Sequence, residues 1–178
     1  MPLSNPSRAA RSHVMANWLN LRQGIANSQS ATNLGPPSAG AWPTANLAIF
    51  TPVTLERPEI IERLWWFNGG VSGNVDCGVY DADYRLLVST GAVAQSGANV
   101  LQSVDITDYA ISPGRYWVAL SLTSTSGSIV RSGYQIGLTR ASGVFQMSSA
   151  HPLPSTAVPE AAVNNYIPIC GMAFRSLV

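Results

Sequence analysis

The residues best able to do chemistry in this sequence are nine carboxylates, most of which fall into three groups. The groups are Glu56, Glu59 and Glu62, then Asp76, Asp81 and Asp83, then Asp105 and Asp108. Two carboxylates facing each other across a cleft would suit glycoside hydrolysis, and oxygens around Asp81 and Asp83 would suit calcium. A simpler use is to close turns, because Asp side chains accept backbone hydrogen bonds there. We expect the simpler use, with no metal site, and keep a glycan hydrolase as the least favoured function.

No nucleophile or phosphate-binding motif accompanies the carboxylates. His13 lies next to arginines in the N-terminal helical segment, so we expect a surface residue, and His151 precedes a proline in a loop, so we expect it to be structural. The sequence has no G-x-S-x-G elbow and no lysine for Schiff-base or P-loop chemistry. Cys77 and Cys170 have apolar or small neighbours, which favours buried free thiols over a disulfide. We predict a protein that is not an enzyme and needs no cofactor.

Charge is scarce over the whole chain. Charged residues make up 11% of the 178 residues, against about 25% in a typical globular protein, and all ten basic residues are arginine. Such a surface suits a subunit covered by neighbours, although a GC-rich genome would also replace lysine with arginine. With a net charge of +1 and no basic run, we expect no nucleic-acid partner. No stretch approaches the ~18 apolar residues of a membrane span, and the chain starts without a secretory signal, so we expect neither a membrane partner nor secretion.

Aromatic residues carry more information than the ionisable ones. In PGRYWVALSL (113–122), alternation puts Arg115 and Trp117 on the face that a half-buried strand normally turns to water. That face would contact a second sheet, a partner subunit or a sugar, because aromatic rings near arginine serve in protein and glycan contacts. Filling of the core is the alternative for any one tryptophan. The candidate interaction surface comprises Trp18, Trp42, Trp65, Trp66, Arg115 and Trp117.

After residue 45 the sequence consists of short apolar or alternating segments separated by turns. These segments predict strands at 46–53, 58–69, 74–81, 85–90, 99–106, 114–122, 129–140, 143–147 and 165–176. Regular short strands with almost no helix predict an all-β fold, an antiparallel jelly-roll-like β-sandwich of about eight strands. An immunoglobulin-like sandwich is the alternative, though its Cys…Trp…Cys spacing is missing.

The first 45 residues differ from the rest. An apolar stripe at helical spacing predicts a short helix, formed by Val14, Trp18, Leu21 and Ile25. Residues 28–45 are rich in Gly, Pro, Ser and Ala and cannot form a core of their own. They are either a plain flexible linker or an arm that becomes ordered on another surface, and Trp42 favours the arm. We therefore divide the chain into an N-terminal helix and extended arm (1–45) and a β-sandwich domain (46–178).

The segment 77–127 resembles a β-sandwich pattern of virion proteins from tailed bacteriophages. Its hairpin reads VYDADYRLLV, and a Ser/Gly/Ala/Gln tract, a VDITD strand and a PGRYWVAL strand follow. These matches lie at 79–88, 92–99, 104–108 and 113–120, and the likeness covers roughly a third of the chain. Sandwiches of this pattern occur in capsid decoration (cement) proteins, head fibres and tail fibres. The resemblance implies the sandwich fold and supplies no catalytic residue.

Resemblance and composition together lead to a structural function. We expect a bacteriophage virion protein, a capsid decoration or cement protein that stabilises the head through subunit contacts and its N-terminal arm. Its partners would be other virion proteins, the major capsid protein among them, and further copies of itself in a homo-oligomer. It would reside in the virion after assembly in the host cytoplasm. The alternative is a tail-fibre or spike module that binds host-surface glycan in a groove lined by Trp65 or Trp66 with Trp117.

Overall fold

The computed structural model describes residues 38–132 and 136–175, which hold thirteen strands and one short helix. The strands are β1 (Ser38–Ala41), β2 (Ala48–Leu55), β3 (Glu59–Phe67), β4 (Asn74–Tyr80), β5 (Leu86–Ser89), β6 (Val93–Ala94), β7 (Leu101–Ile111), β8 (Gly114–Leu122), β9 (Ser128–Ser132), β10 (Phe145–Met147), β11 (Glu160–Ala161), β12 (Ile167–Pro168) and β13 (Cys170–Phe174). The helix is α1 (Ile136–Ala141). No helix within these residues is long and apolar enough to cross a membrane.

Two antiparallel faces enclose the main core. One sheet has the strand order β11-β10-β2-β8-β4-β5, with β6 paired to β4. The other face is the sheet β13-β3-β7, and the small sheet β1-β9-β12 continues it, because the Ile169 amide between β12 and β13 donates to the Val130 carbonyl at 2.9 Å. Strand pairing is nested, β2 with β8, β3 with β7 and β4 with β6. Nesting of this kind defines a jelly roll, so the predicted all-β, jelly-roll-like sandwich is confirmed.

The central strand β8 is buried on both sides. Val118, Leu120 and Leu122 point into the main core between the sheets, where each is fully buried. Trp117 and Ala119 point the other way, into a second apolar cluster. The sequence left a second sheet, a partner subunit or a sugar as the contact of Trp117, and the second cluster shows that the contact lies within the chain.

A long covering segment creates the second cluster. Residues 148–157 cross the outer face of the larger sheet and, together with Phe145 of β10, bury Phe50, Tyr80 and Trp117. Phe50 stacks on Phe145 with 4.3 Å between ring centroids, and Tyr80 meets the edge of Phe50 at 5.1 Å. The larger sheet is therefore shielded from water on both faces.

Two predicted strands are corrected by the structure. The strand expected at 129–140 ends at Ser132, and α1 follows, because Gly143 with φ +79 closes a helical turn by donating its amide to the Arg140 carbonyl. The strand expected at 165–176 is divided at Ile169 into β12, which pairs with β9, and β13, which pairs with β3.

A bulge also changes one predicted face. Pairing between β3 and β7 shifts register after Ile61, which places Ile61 in the core with Leu64 and Trp66. Strict alternation would group Ile61 with Arg63 and Trp65, and the bulge at Glu62, which has no register partner on β13, overturns that grouping.

The sandwich includes residues that the sequence assigned to the arm. β1 pairs along its whole length with β9, and Trp42 is 1% exposed within the main core. Trp42 therefore docks on its own domain, and the predicted boundary at residue 46 lies inside the packed unit. The predicted N-terminal helix, with Trp18, lies outside the described residues.

Candidate docking face

Four connections meet at one end of the sandwich, and none of their residues is charged. They are 42–47, 68–73, 95–100 and 123–127. Backbone hydrogen bonds hold them together, for example from the Asn68 amide to the Val100 carbonyl and from the Asn99 amide to the Gly69 carbonyl, both 2.9 Å. We call these connections, with the first residue of β7, Leu101, the neutral end.

Three aliphatic side chains of the neutral end face solvent. Val71 is 43% exposed, Val100 46% and Leu101 52%. Covering such half-exposed groups contributes about 1 kcal/mol each through the hydrophobic effect. Exposed aliphatic groups that share a surface with uncharged loops are typical of a contact face.

The fully buried Asn68 ties the loops of the neutral end together. Its Oδ1 accepts hydrogen bonds from Trp66 Nε1 at 2.8 Å and from Gln95 Nε2 at 3.0 Å. Its Nδ2 donates to the Ser96 carbonyl at 2.7 Å and to Gln102 Oε1 at 2.9 Å. Every hydrogen-bonding position of the amide is used, so the side chain fixes three chain segments at once.

Gln95 extends this network to Ser72 and to the start of β9. Its Oε1 accepts from the Ser72 amide at 2.8 Å, and its Nε2 also donates to the Ser128 carbonyl at 2.9 Å. Ser72 and Ser124 hydroxyls pair at 3.0 Å across the same end. The network holds the loops in one geometry, so the backbone that carries the exposed aliphatic side chains is held fixed.

Two of the predicted interaction residues are buried beneath these loops and hydrogen-bond to them. Trp66 is fully buried and gives its indole N–H to Asn68, while Trp42 gives its own to the Leu47 carbonyl at 3.1 Å. The ring of Trp42 meets the Tyr166 ring edge-on at 5.1 Å. Both rings therefore stabilise the neutral end from inside and are not themselves presented to a partner.

Arg115 and Trp117 occupy a different part of the molecule. Trp117 is 6% exposed under the covering segment, with its ring 4.9 Å from Tyr84, and the Arg115 guanidinium lies over it at 5.1 Å. The pair acts as a cation–π contact within the chain. The expected groove of Trp65 or Trp66 with Trp117 is absent from the described residues, because these rings lie on opposite sheets.

Trp65 lies on the outer face of β3. Its indole rests on Gly171 of β13, where an added Cβ would stand 2.8 Å from Trp65 Cζ2. Trp65 is 6% exposed, so the expected exposed surface of tryptophans is corrected for all four rings that the structure describes. Trp18, the fifth, lies outside those residues.

The opposite end carries charge and is built from the connections 56–58, 81–85 and 112–113, which we call the charged end. Asp81 Oδ1 accepts from the amides of Asp83 at 2.9 Å and Arg85 at 2.8 Å, so the predicted turn-closing use is confirmed for Asp81. A shallow cleft lies here between the start of β3 and the end of β7, beside the Arg57–Glu59 ion pair. Among residues 38–132 and 136–175, no group of three or more His, Cys, Asp or Glu side chains is placed to hold a metal ion.

A buried polar cluster under the covering segment was not foreseen from the sequence. Ser121 Oγ and His151 Nδ1 pair at 2.9 Å, and Asp76 Oδ2 accepts from the Leu153 amide at 2.9 Å. Burial raises the pKa of Asp76 and lowers the pKa of His151. Ser121 is fully buried, Asp76 is 1% exposed and His151 is half-buried, so the cluster fastens the covering segment to the sheet. The three residues come from distant segments, and no sequence signal links them.

This chain has only limited similarity to known proteins. No protein-family model matches the chain, and no curated protein matches it. Among solved structures, it is similar to a fucose-binding module of Streptococcus pneumoniae, with 19% identity, TM-score 0.32 and coverage of 45% of this chain and 57% of that one. It is also similar to the S. pneumoniae fucose-binding module SpX-3, with 17% identity, TM-score 0.31 and coverage of 48% and 64%. Each likeness spans less than two thirds of the other chain and carries no argument about function.

Proposed function

We propose that this protein is a structural, non-catalytic subunit of a bacteriophage virion, a capsid decoration or cement protein that docks through its neutral end. One observation carries the proposal: Val71, Val100 and Leu101 are exposed on uncharged loops that the Asn68 network holds rigid. Interface cores are depleted of charge. Rigid loops also lose little conformational entropy when a partner covers them.

The neutral end needs help from the N-terminal residues. Covering its three aliphatic groups contributes about 3 kcal/mol, whereas micromolar binding requires about 8 kcal/mol. β1 runs beside this end, since a Cβ added to Gly69 would lie 2.7 Å from Ala39 Cβ. Residues 1–37, with the apolar stripe around Trp18 predicted from the sequence, therefore join the domain close to the docking face and would supply the remaining contact area.

The proposed partners are other virion proteins, the major capsid protein first among them, and further copies of this chain. Support comes from the resemblance of segment 77–127 to phage virion sandwiches and from the charged fraction of 11%. A surface with so little charge suits a subunit that neighbours cover in an assembled shell.

Binding to particles tests this proposal. Particles of the phage that encodes the chain are prepared without it and mixed with wild type, with Leu101→Glu and with the control Val158→Glu. Val158 is 65% exposed, and its neighbour Ala157 donates its amide to the Tyr84 carbonyl of the charged end. We expect Leu101→Glu to co-sediment at least ~10-fold more weakly, because docking would desolvate a carboxylate, and the control to match wild type. Equal binding by Leu101→Glu would exclude the neutral end, and failure of wild type to bind would contradict the virion role.

The glycan-binding alternative has no specific observation in its favour. It required an exposed groove of tryptophans, and the described rings are at most 6% exposed. A glycan array probed with the wild-type chain separates the two functions. Binding of a defined glycan, together with no binding to particles, would replace the capsid proposal with the alternative.

A further inference from the structure

The two cysteines of the chain meet in the main core. Cys77 lies on β4 of the larger sheet and Cys170 on β13 of the opposite face, and both thiols are free and buried, at 0% and 1% exposure. Hydrogen bonding with Cys170 and burial raise the pKa of the Cys77 thiol well above its ordinary value, so the two thiols interact across the core.

The two faces approach closely between β8 and β13. Cα atoms of β8, the neighbour of β4, come within 8 Å of Cα atoms of β13 on the opposite face, whereas packed sheets usually stand about 10 Å apart. Cys77 pairs in register with Leu120 of β8, and both residues belong to the main core together with Cys170. A disulfide needs Cα atoms roughly 4.4–6.8 Å apart, a separation that strands of closely packed sheets can reach.

We propose that Cys77 and Cys170 are a dithiol that converts to an inter-sheet disulfide by exchange with a low-molecular-weight disulfide such as oxidised glutathione. One cysteine thiolate attacks the reagent and releases one glutathione thiolate, and the second cysteine thiolate displaces the other. One Sγ–Sγ bond forms, the S–S bond of the reagent breaks, and the two cysteine protons pass through solvent to the two released thiolates, which become thiols. This inference concerns the core and is independent of the proposed docking.

Burial decides when the exchange occurs. The reagent cannot reach sulfur atoms that are at most 1% exposed, so the reaction takes place during folding or on transient opening of the sandwich. The reduced form suits a reducing compartment and the closed form an oxidising one. The bond would join the two faces across about half of the chain, which restricts the unfolded state strongly.

Oxidative refolding of the full chain tests the dithiol. The chain is reduced and unfolded in denaturant, then refolded with either reduced or oxidised glutathione, unfolded again, alkylated and weighed by intact mass spectrometry. We expect the oxidised sample to be a monomer two hydrogens lighter that takes up no alkylating group, while the reduced sample takes up two. Its unfolding temperature should rise by roughly 5–15 °C.

A matched variant and the opposite outcomes complete the test. Cys170→Ala keeps Cys77 alone and should show neither the mass loss nor the rise in unfolding temperature. The wild-type measurement stands by itself if that variant folds poorly. Two alkylated thiols after oxidative refolding, dimers linked by disulfide, or a lower unfolding temperature of the oxidised monomer would each overturn the proposal.

Discussion

The neutral end and the charged end of the sandwich are held together by different forces. At the neutral end, Asn68 is fully buried and makes four hydrogen bonds that join separate loops. At the charged end, Arg85 and Asp83 stand 3.8 Å apart with side chains 71% and 74% exposed. The neutral end thus contains a buried amide with all its hydrogen-bonding groups paired, and the charged end contains a solvated ion pair.

This difference indicates which end is built to be covered. A buried amide hydrogen bond contributes about 1 kcal/mol, and leaving a partner unpaired costs about 1–3 kcal/mol. An exposed ion pair contributes about 0–1 kcal/mol and weakens in salt. The neutral end therefore keeps its shape without water and presents aliphatic groups, whereas the charged end is stable facing solvent.

The largest effect is expected from a charge placed inside the neutral end. Asn68→Asp replaces the Nδ2 donor with an oxygen that faces the Ser96 carbonyl and Gln102 Oε1. We expect a loss of about 3–5 kcal/mol in the free energy of unfolding, measured by urea titration, because a buried charge is left without a partner. The control Asp83→Asn at the charged end should change stability by less than ~0.5 kcal/mol. Similar losses in both variants would remove the distinction between the ends.

A smaller effect is expected from a methyl group in the same place. Gly127→Ala would put Cβ 2.7 Å from the Ser72 carbonyl oxygen and 2.8 Å from Gln95 Oε1. We expect a loss of about 1–3 kcal/mol from the forced shift. The control Gly137→Ala on α1 meets no atom within 4 Å and should be neutral or stabilising by up to ~1 kcal/mol. A neutral Gly127→Ala would mean that the loops are looser than the network implies.

The pH dependence of stability should arise outside the neutral end, which has no titratable side chain. His151 has a lowered pKa through burial, so the unfolded state takes the proton first and stability falls as the pH drops below 6.5. Asp76 has the opposite effect on stability, because burial raises its pKa in the folded state above the ordinary value of 3.8. Its contribution to stability is complete below pH 3.8 and is lost as the pH rises through the folded-state pKa. Urea titrations across this range should lose the near-neutral slope in His151→Gln. An unchanged slope would place the titration elsewhere.

The smallest effect is expected at the charged end itself. Arg85→Gln removes the 3.8 Å contact with Asp83, and we expect less than ~0.5 kcal/mol in unfolding free energy. Particle binding should equal that of wild type. A marked loss of particle binding in Arg85→Gln, with the fold intact, would move the docking face to the charged end.

The fold followed from the sequence where periodicity was strong. Alternation through 113–122 predicted the strand β8 with Val118, Leu120 and Leu122 on one face, and the structure places these three residues in the main core. α1 was missed because Gly143 ends a helix only six residues long, too short for a helical period to show.

The site was harder to foresee, because it depends on residues that meet only in space. Asn68, Gln95 and Gln102 are polar residues in or near turns, and nothing local marks them as one buried network. The tryptophans were identified as important, but their exposure was misjudged. The segment 149–163 reads as an irregular connection, and only the fold shows that its first part covers Trp117.

Hydrogen–deuterium exchange of the free chain and of the chain bound to virion particles tests the central claim most directly. We expect amides at 69–73, 95–101 and 123–127 to exchange more slowly on particles, and amides at 56–59 and 81–85 to exchange at equal rates in both states. Slowing confined to the charged end, or equal rates at the neutral end in free and bound chain, would contradict docking through the neutral end.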